Sequence, residues 1–557
     1  SSSSFLFTMG VFRKGLAYLF KDFSCWTSTH GIPHIGMANA IWLRLFWIIV
    51  VVACLVGFII QLKMLISKYL SYGVNTQTKL EFSERPFPAV TICHLNPWKA
   101  DALNGSAYMT ALVAAYQDSD ANATFGFDEG RTGARQQTAV DLTSLANQHL
   151  FAMMNDPSMP NPAYTYDDLV ISCTYNAKTC YQESWNATRD PTFGLCQEFN
   201  FNESLSSSRA GSLYGLRVVM RIDQANYLPW TEAAGVVVSI HNKTDPPYPD
   251  VLGYYAPPST ASSMGISYTM TTRKGPPYGT CTSQTTADFS NYKGPYEVES
   301  CYRSCLQDEI IQQCGCYDPT YPYLGSGVSS CFGDASVESD WAQSAVNLDC
   351  INALSNTEET TFNLINDCLY CLQPCVVQTY AVTVSTAQWP SSDYTPAECT
   401  ASNQSGQPWV GTNGVANEQA CLAWYQTNTL LLEVYYQQLN YQILTESAAY
   451  TIVNLISDIG GQVGLFLGMS IISVIEIFTL FILLCYFFGT YKERKEEMAK
   501  MEAEAQAQVK KDEAKQKAEE AREETAEKQK KLNSQSQNAV YSDANPSTAY
   551  NVPPVQY

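Results

Sequence analysis

An apolar run at residues 451–488 constrains this chain more than any other stretch. It exceeds the about 20 residues that a helix needs to cross a bilayer. Polar groups are costly at that depth and usually face a partner or a water-filled path, while glycines allow close packing or a departure from helical geometry. The run therefore favours a pore-lining span over a tightly packed helix. Its polar residues and glycines are Asn454, Asp458, Gln462, Glu476, Gly460, Gly461, Gly464 and Gly468.

A second apolar run, residues 41–66, is also long enough to span a bilayer. No small-residue cleavage site follows it, so we interpret it as a retained span and not as a secretory signal. Two spans place residues 1–40 and 489–557 on the same side of the membrane. Residues 67–450 then form a large domain on the other side.

The segment between the spans has the composition of an extracellular domain. Of the chain's 19 cysteines, all but Cys25, Cys54 and Cys485 fall in it, a dense and even set typical of disulfides made in an oxidising compartment. Basic residues flank the spans on the opposite side, as the positive-inside tendency requires. We therefore predict a plasma membrane protein with both termini cytoplasmic. The N-glycosylation sequons all lie in the segment, at Asn104, Asn122, Asn186, Asn202, Asn242 and Asn403.

The net charge of −20 belongs to the same segment, because residues 68–450 hold 37 acidic against 16 basic side chains. An acidic outer domain concentrates cations and cationic ligands near the membrane, although solubility alone also explains most such charges. A basic stripe of the kind that binds nucleic acid is absent from the sequence, so we expect no nucleic-acid partner.

The pattern of the outer segment predicts a mixed α+β domain. Strand-like runs occur at 87–93, 215–223, 235–242 and 376–385, where β-branched residues are frequent. Residues of about 96–170 differ, because Ala, Leu, Met and Tyr recur there at helical spacing.

Six motifs in order resemble the superfamily of epithelial sodium channels, degenerins and acid-sensing channels. The resemblance covers roughly residues 28–480, and its last two motifs are highly specific. It implies an α+β membrane protein with two transmembrane helices per subunit, assembled as a trimer. The motifs are His30-Gly31, FPAVTIC at 87–93, GLCQEFN at 194–200, PPYGTC at 276–281, CYRSCLQDEIIQQCGC at 301–316 and GLFLGMSIISVIE at 464–476.

The resemblance also implies a domain plan. The plan is a cytoplasmic segment 1–40, transmembrane helix 41–66, extracellular domain 67–450, transmembrane helix and pore 451–488, and cytoplasmic tail 489–557. The extracellular part would be a disulfide-rich hand with palm, knuckle, finger, β-ball and thumb. We place the finger at about 96–170 and the thumb at about 282–375. The tail is rich in Ala, Glu, Lys and Gln and predicts a solvated, partly disordered helix.

By resemblance, Gly468-Met469-Ser470 match the selectivity belt, in which three copies present carbonyls and hydroxyls to a partly dehydrated cation. Met469 departs from the small residue often found in the middle of this belt. Further matches are the outer gate at Ser457, Asp458 and Gly461, the inner pore at His30, Gly31 and Glu476, and a coupling pair, Tyr72 and Tyr278. For Glu476, a cation-attracting ring and an intersubunit hydrogen bond remain alternatives, with the pore side slightly favoured.

The resemblance implies seven disulfides, which sequence alone does not select. Cys399 and Cys421 are left over and are expected to form an eighth. Zinc binding by the clustered cysteines is the disfavoured alternative in an extracellular segment, and we expect no cofactor and no bound metal. The implied seven are Cys93–Cys196, Cys173–Cys180, Cys281–Cys375, Cys301–Cys371, Cys305–Cys368, Cys314–Cys350 and Cys316–Cys331.

The resemblance predicts an amiloride-sensitive sodium channel, and the residues bear on what opens it. Extracellular histidines are few, and Gly73-Val74 follow Tyr72 where acid-sensing relatives carry a His pair. Paired carboxylates also titrate, so proton gating remains an alternative. A constitutive channel is disfavoured because the finger has only isolated basic residues at Arg131 and Arg135.

The favoured trigger is a short amidated neuropeptide, as in FMRFamide-gated sodium channels. Such a ligand carries Arg and aromatic rings, and so needs carboxylates beside aromatic surface. A two-pass adhesion protein would not explain the polar second span, and no constellation typical of an enzyme stands out. The finger candidates for the ligand site are Tyr108, Tyr116, Phe125, Phe127, Asp128 and Glu129.

Overall fold

The computed structural model describes residues 16–490 and scattered positions between 500 and 525. Excluded from that range are 104, 118–133, 155–159, 203, 356–361, 401–406, 408 and 411–416. The chain divides into two compact units. The membrane unit comprises residues 1–71 and 451–557, and the ectodomain unit comprises residues 72–450.

Helices within the described residues are numbered along the chain. They are α1 (16–26), α2 (Ile32–Met37), α3 (Ile41–Leu70), α4 (Ala107–Gln117), α5 (Ala134–Met153), α6 (Tyr166–Leu169), α7 (Pro249–Leu252), α8 (Val298–Cys314), α9 (Glu338–Ser355), α10 (Leu364–Asp367), α11 (Ala397–Thr400), α12 (Glu418–Asn428), α13 (Ile452–Leu467) and α14 (Ile471–Gly489).

Strands are numbered in the same way. They are β1 (Val74–Phe82), β2 (Arg85–Pro86), β3 (Ala89–His94), β4 (Val170–Tyr175), β5 (Lys178–Thr179), β6 (Trp185–Asp190), β7 (Gly194–Phe199), β8 (Ser206–Ser207), β9 (Leu216–Arg221), β10 (Val236–His241), β11 (Gly253–Ala256), β12 (Thr260–Thr272), β13 (Thr286–Asp288), β14 (Lys293–Pro295), β15 (Val376–Gln388), β16 (Thr429–Tyr436) and β17 (Asn440–Ala448).

Among the described residues of the membrane unit, two helices are long and apolar enough to cross a bilayer, α3 and α14. Helix α3 extends to Leu70, past the predicted end at 66. The sequence predicts one span over 451–488, but the structure interrupts it at residues 468–470. Gly468 has a φ of 57° and ends α13 in the left-handed conformation, which glycine adopts without the steric cost that other residues incur.

The ectodomain unit is built on an eight-stranded sheet with the order β1-β17-β12-β16-β9-β4-β5, in which β15 also pairs with β12. Strand β1 follows α3 in the chain and pairs antiparallel with β17, which precedes α13. A continuous apolar core lies against this sheet and includes Phe87, Phe199, Met220, Met264 and Leu432, each at most 1% exposed. The strands that connect to both spans are therefore partners in one packed sheet.

A second sheet and two helical parts complete the ectodomain. The second sheet has the order β11-β10-β3-β7-β6. Helices α4 and α5 occupy the predicted finger, and α8 and α9 occupy the predicted thumb. Both helical parts share one apolar cluster, in which Leu112 and Leu145 of the finger and Ile310 and Leu348 of the thumb are buried. Finger and thumb therefore pack together within one subunit.

Eight disulfides join the described cysteines of the ectodomain, and their pairs are those named above. Cys301 and Cys305 lie one helical turn apart on α8, and both bridge to the segment before β15. Cys399 and Cys421 pair in a separate small core with Trp409 and Tyr425. The described free cysteines are the three outside the segment.

Candidate functional site

The interruption of the second span is the first site. Helix α13 ends at Leu467, and the first helical residue of α14 is Ile471. Between them, Ser470 has an extended backbone and its N–H donates to Ser473 Oγ at 3.1 Å. The last carbonyls of a helix lack intrahelical partners, so such a break exposes backbone oxygens. Irregular backbone at this depth is tolerated where it is buried in protein or lines a cavity.

A segment of the N-terminal region packs against this break, and we call residues 27–31 the His-Gly segment. The backbone N–H of His30 donates to the carbonyl of Leu467 at 3.1 Å, so it satisfies one oxygen freed by the end of α13. Gly31 has a φ of 85°, and an added Cβ would meet Val51 of α3. The His30 ring lies beside Gly468, where an added Cβ would overlap it. The structure thus brings His30, Gly31 and Gly468 together.

Glu476 joins the same cluster from α14. Its Oε2 accepts hydrogen bonds from the Ser28 backbone N–H at 2.7 Å, the Ser28 hydroxyl at 3.0 Å and the Thr27 hydroxyl at 3.1 Å. The donors belong to the same chain. The carboxylate that the sequence places at the inner pore therefore binds the His-Gly segment.

The predicted outer-gate residues lie together on α13. All three are exposed in the single subunit and lie within two turns of the helix, at Ser457, Asp458 and Gly461. A Cβ added at Gly461 or Gly464 would meet no described atom of this chain within 4 Å beyond its chain neighbours and the adjacent backbone of α13. By contrast, Gly57 of α3 approaches Phe466 closely, so the two faces of α13 differ in their surroundings.

The predicted coupling pair lies within the ectodomain unit. The rings of Tyr72 and Tyr278 make an edge-to-face contact with centroids 5.5 Å apart and an interplanar angle of 83°. Such geometry is favourable because the positive edge of one ring meets the negative face of the other. Tyr72 has a φ of 48°, uncommon for a bulky residue.

The finger candidates for a ligand site divide into three groups. Tyr108 is 3% exposed and packs edge-to-face on Trp341, so its ring belongs to the finger core and offers no surface to a peptide. This corrects the expectation for Tyr108, because its burial outweighs its aromatic character. Tyr116 is half-buried beside Trp230. Outside the described residues lie Phe125, Phe127, Asp128 and Glu129.

Three of the six sequons lie on described residues, at Asn186, Asn202 and Asn242. Asn202 is exposed, and the other two are partly exposed. The remaining sequons, at Asn104, Asn122 and Asn403, lie outside the described residues.

A cavity of about 860 Å³ between finger and thumb is the second site, and we call it the finger–thumb cavity. Helix α5 contributes to one wall and α9 to another. Its volume falls within the range of small-ligand pockets, about 300–1,000 Å³. Sequence reasoning missed it because its walls come from segments far apart in the chain. Its lining includes Asp141, Trp230, Glu232, Asp250, Tyr255 and Asp318.

The electrostatics of the finger–thumb cavity favour a cation. Among its described lining residues the one Lys or Arg is Arg303, which already binds Asp250 at 2.6 Å and Glu299 at 2.9 Å. Asp318 is 4% exposed, and this burial raises the pKa of its carboxyl. A buried carboxylate without a cation is costly, so a positive ligand would stabilise this wall.

Trp230 lies in the wall of the cavity. Its side chain is 2% exposed, and its indole N–H is buried without a hydrogen-bond partner among the described residues. Buried donors are nearly always paired, and the energetic cost of leaving one unpaired is substantial. The cavity therefore offers a ligand negative charge and the exposed ring of Tyr255, whereas the Trp230 N–H is enclosed in its wall.

The described residues combine two helices long and apolar enough to span a bilayer with a disulfide-rich β-sheet ectodomain, the architecture of a two-span membrane protein. A family model described as amiloride-sensitive sodium channel matches residues 23–480. The chain belongs to this family, whose members are multimeric ion channels and not enzymes.

The chain also resembles individual members. It is 32% identical to degenerin-like protein asic-2 of Caenorhabditis elegans, over 86% of this chain and 88% of that protein. It is 36% identical to degenerin mec-4 of Caenorhabditis briggsae over 67% of this chain, and 38% identical to degenerin del-1 of C. elegans over 62%. The matches span 46% and 47% of those two degenerins, less than half their length.

Proposed function

We propose that this chain is a subunit of a trimeric, sodium-selective, amiloride-blocked channel. The observation that supports it best is the interrupted second span, with the His-Gly segment bound to the interruption. Three copies of Gly468-Met469-Ser470 around one axis would form a ring of carbonyls and hydroxyls. Such a ring replaces part of the hydration shell of a small cation. Sodium is then the permeant ion, and no cofactor takes part.

We further propose that a short amidated peptide of the FMRFamide type opens the channel from the extracellular side. The finger–thumb cavity supports this trigger better than the predicted finger surface does. Its carboxylates suit an Arg side chain, and the exposed ring of Tyr255 suits a Phe side chain. Binding would move finger against thumb, and the movement would pass through the strands β1 and β17 to the second spans near Asp458.

The test is two-electrode voltage clamp on oocytes that express this chain alone, with surface expression confirmed by biotinylation. RFamide peptides are applied first at neutral pH, and acid at about pH 5 is applied second. Few kinds of side chain titrate between neutral pH and about pH 5, so an acid response points to a small set of groups. A peptide-evoked sodium current blocked by amiloride supports the proposal. A current evoked by acid but not by peptide would identify a proton-gated channel. A current present without peptide and without acid would identify a constitutive channel. Silence with confirmed surface expression would contradict a self-sufficient peptide-gated channel.

A substitution in the cavity should weaken peptide potency. Glu232→Gln removes a charge from an exposed lining residue and keeps its shape. We expect it to raise the half-maximal peptide concentration about tenfold, the change that follows from one lost ion pair. The maximal current and the amiloride block should stay unchanged, because neither depends on the cavity.

The matched control for this prediction is Glu418→Gln, which removes the same charge from an exposed position on α12, outside the cavity. Its peptide potency should equal that of the wild type. If Glu232→Gln also leaves potency unchanged, the peptide does not bind in the finger–thumb cavity.

Protons are the second candidate trigger, and Glu297 is the observation that favours them. Burial, together with the nearby charge of Asp245, raises the pKa of the half-buried Glu297 carboxyl from 4.5 to about 7. The extracellular histidines are poorly suited to this role. Burial lowers the pKa of His94 to about 4 and also lowers the pKa values of His149 and His241.

The sign of the Glu297 effect follows from its raised pKa. The folded chain binds a proton that the unfolded chain releases between pH 4.5 and about 7. The stabilisation is fully present below pH 4.5 and is lost as the pH rises through about 7. The melting temperature of the full-length channel in detergent should therefore fall over this range. Glu297→Gln should flatten that part of the profile, and an unchanged slope in the variant would exclude Glu297 as the titrating group.

A further inference from the structure

The contacts of Glu476 suggest a role that differs from a ring of charge around an ion. One carboxylate oxygen accepts three hydrogen bonds, all from Thr27 and Ser28 of the same chain. A carboxylate at membrane depth needs such donors to offset its desolvation. Hydrogen bonds to an ionised acceptor are roughly twice as strong as those between neutral groups. The described hydrogen bonds of this oxygen therefore all come from the His-Gly segment.

A second set of contacts links that segment to the start of α14. The Ser28 and Ser473 hydroxyls are 2.5 Å apart, and the Ser473 Oγ also accepts from the Ser470 backbone N–H. Ser473 is fully buried, so its hydroxyl has little freedom to move to other partners. A continuous chain of hydrogen bonds thus runs from Glu476 through Ser28 and Ser473 to Ser470.

The C-terminal end of the His-Gly segment contacts the other flank of the interruption, the end of α13. Thr27 and Thr29 are buried and joined by a hydrogen bond of their hydroxyls. The next residue, His30, donates its backbone N–H to the carbonyl of Leu467. The His-Gly segment therefore contacts both helical ends that flank Gly468-Met469-Ser470, and Glu476 supplies its strongest acceptor.

We propose that Glu476 is a positioning residue of the filter, which anchors the His-Gly segment through Thr27 and Ser28 and so fixes the residues 468–470. Its carboxylate acts through these hydrogen bonds and not by binding the permeating ion. Of the two tests of this inference, only the electrical one rests on the proposed channel function.

The electrical test compares substitutions that separate the two roles. Glu476→Gln keeps an oxygen acceptor but has no charge, whereas Glu476→Ala has neither. For a positioning role, we expect Glu476→Gln to keep the sodium-over-potassium permeability ratio within about threefold of the wild type. Glu476→Ala should lower the ratio about tenfold, as should the double variant Thr27→Val with Ser28→Ala. The ratio is measured from reversal potentials.

A cation-binding ring makes the opposite prediction. Glu476→Gln would then lose as much selectivity as Glu476→Ala, and the Thr27 and Ser28 variants would keep the wild-type ratio. Either result would overturn the proposal. Combining Glu476→Ala with the Thr27 and Ser28 substitutions should add little to the loss, because groups in one network are not independent.

A second test needs no current. Ser28→Cys and Ser473→Cys are introduced together in a background in which Cys25, Cys54 and Cys485 are Ser, and the two single variants serve as controls. Mild oxidation of membranes should join the new cysteines, because the two hydroxyls they replace are in contact. Maleimide labelling after denaturation counts the thiols that remain.

The expected result is loss of both new thiols when Glu476 is present and a several-fold lower yield with Glu476→Ala. Absence of the cross-link with Glu476 present would overturn the geometry, and equal yields would overturn the anchoring role. If the wild type conducts no current, the proposed channel function fails while this thiol measurement still decides the role of Glu476.

Discussion

Alanine at position 468 should abolish most of the agonist-evoked current while the protein still reaches the cell surface. Gly468 adopts a left-handed conformation that costs other residues about 1–2 kcal/mol, and its added Cβ would overlap the His30 ring. Either the interruption or the His-Gly segment must move to relieve this overlap. Because each 1.4 kcal/mol is about tenfold in an equilibrium, we expect at least about a tenfold loss of maximal current.

The matched control is Gly489→Ala at the end of α14, where an added Cβ meets no described atom within 4 Å beyond its chain neighbours and the adjacent helix backbone. This variant should carry wild-type current. The measurement is maximal current normalised to surface biotinylation. Wild-type current from Gly468→Ala would contradict the view that the left-handed glycine is required for conduction.

A double variant separates the two causes. His30→Ala removes the ring that overlaps the new Cβ but keeps the backbone N–H that binds Leu467. Added to Gly468→Ala, it should restore part of the current if the overlap dominates. No recovery would assign the loss to the backbone conformation of residue 468.

The sequence predicts the spans and many of the strands because their signals are local. Uniform apolar runs identify the two terminal spans, and β-branched patterns identify β3, β9, β10 and β15. The disulfide pairs are different, since spacing does not choose among many possible connectivities. Seven of them follow from the resemblance, and the eighth joins the two cysteines left over. The interruption at 468–470 is not predicted as a helix end, because the run holds four glycines and its sequence does not show at which of them the helix stops.

The site contacts escape sequence reasoning because they join distant positions. Ser28 and Glu476 are separated by 448 residues, and no periodic pattern relates them. The same holds for the finger–thumb cavity, to which Asp141, Trp230 and Asn352 come from three different segments. Aromatic and acidic composition alone favoured Tyr108 as a ligand contact, but its burial removes it from the surface.

Asn96 illustrates a residue whose importance depends wholly on such contacts. It is fully buried just after β3, and its side chain has five hydrogen-bond partners that tie this strand end to the loop carrying Trp230. Its two amide N–H groups are shared among the Trp98 carbonyl, the Tyr164 hydroxyl and the Asn226 carbonyl, and its oxygen accepts from the Leu228 N–H and the Thr231 hydroxyl.

Asn96→Ala should therefore be among the most damaging single substitutions in the ectodomain. It leaves several buried donors and acceptors without partners, at about 1–3 kcal/mol each, so a total loss of about 3–5 kcal/mol is expected. A loss of that size is a large part of the stability of a typical domain. We expect little protein at the cell surface and a clearly lower melting temperature for what is purified in detergent.

The control for this prediction is Asn366→Ala, which removes an exposed amide from α10 and should leave both measurements at the wild-type level. Asn96→Asp sharpens the test, because it keeps the shape and the accepting oxygen but loses the donors to Trp98 and Asn226. If the donated hydrogen bonds carry the stabilisation, Asn96→Asp should lower the surface level and the melting temperature nearly as much as Asn96→Ala does. A surface level and a melting temperature close to the wild type in Asn96→Ala would show that the loop carrying Trp230 is held by its apolar packing instead.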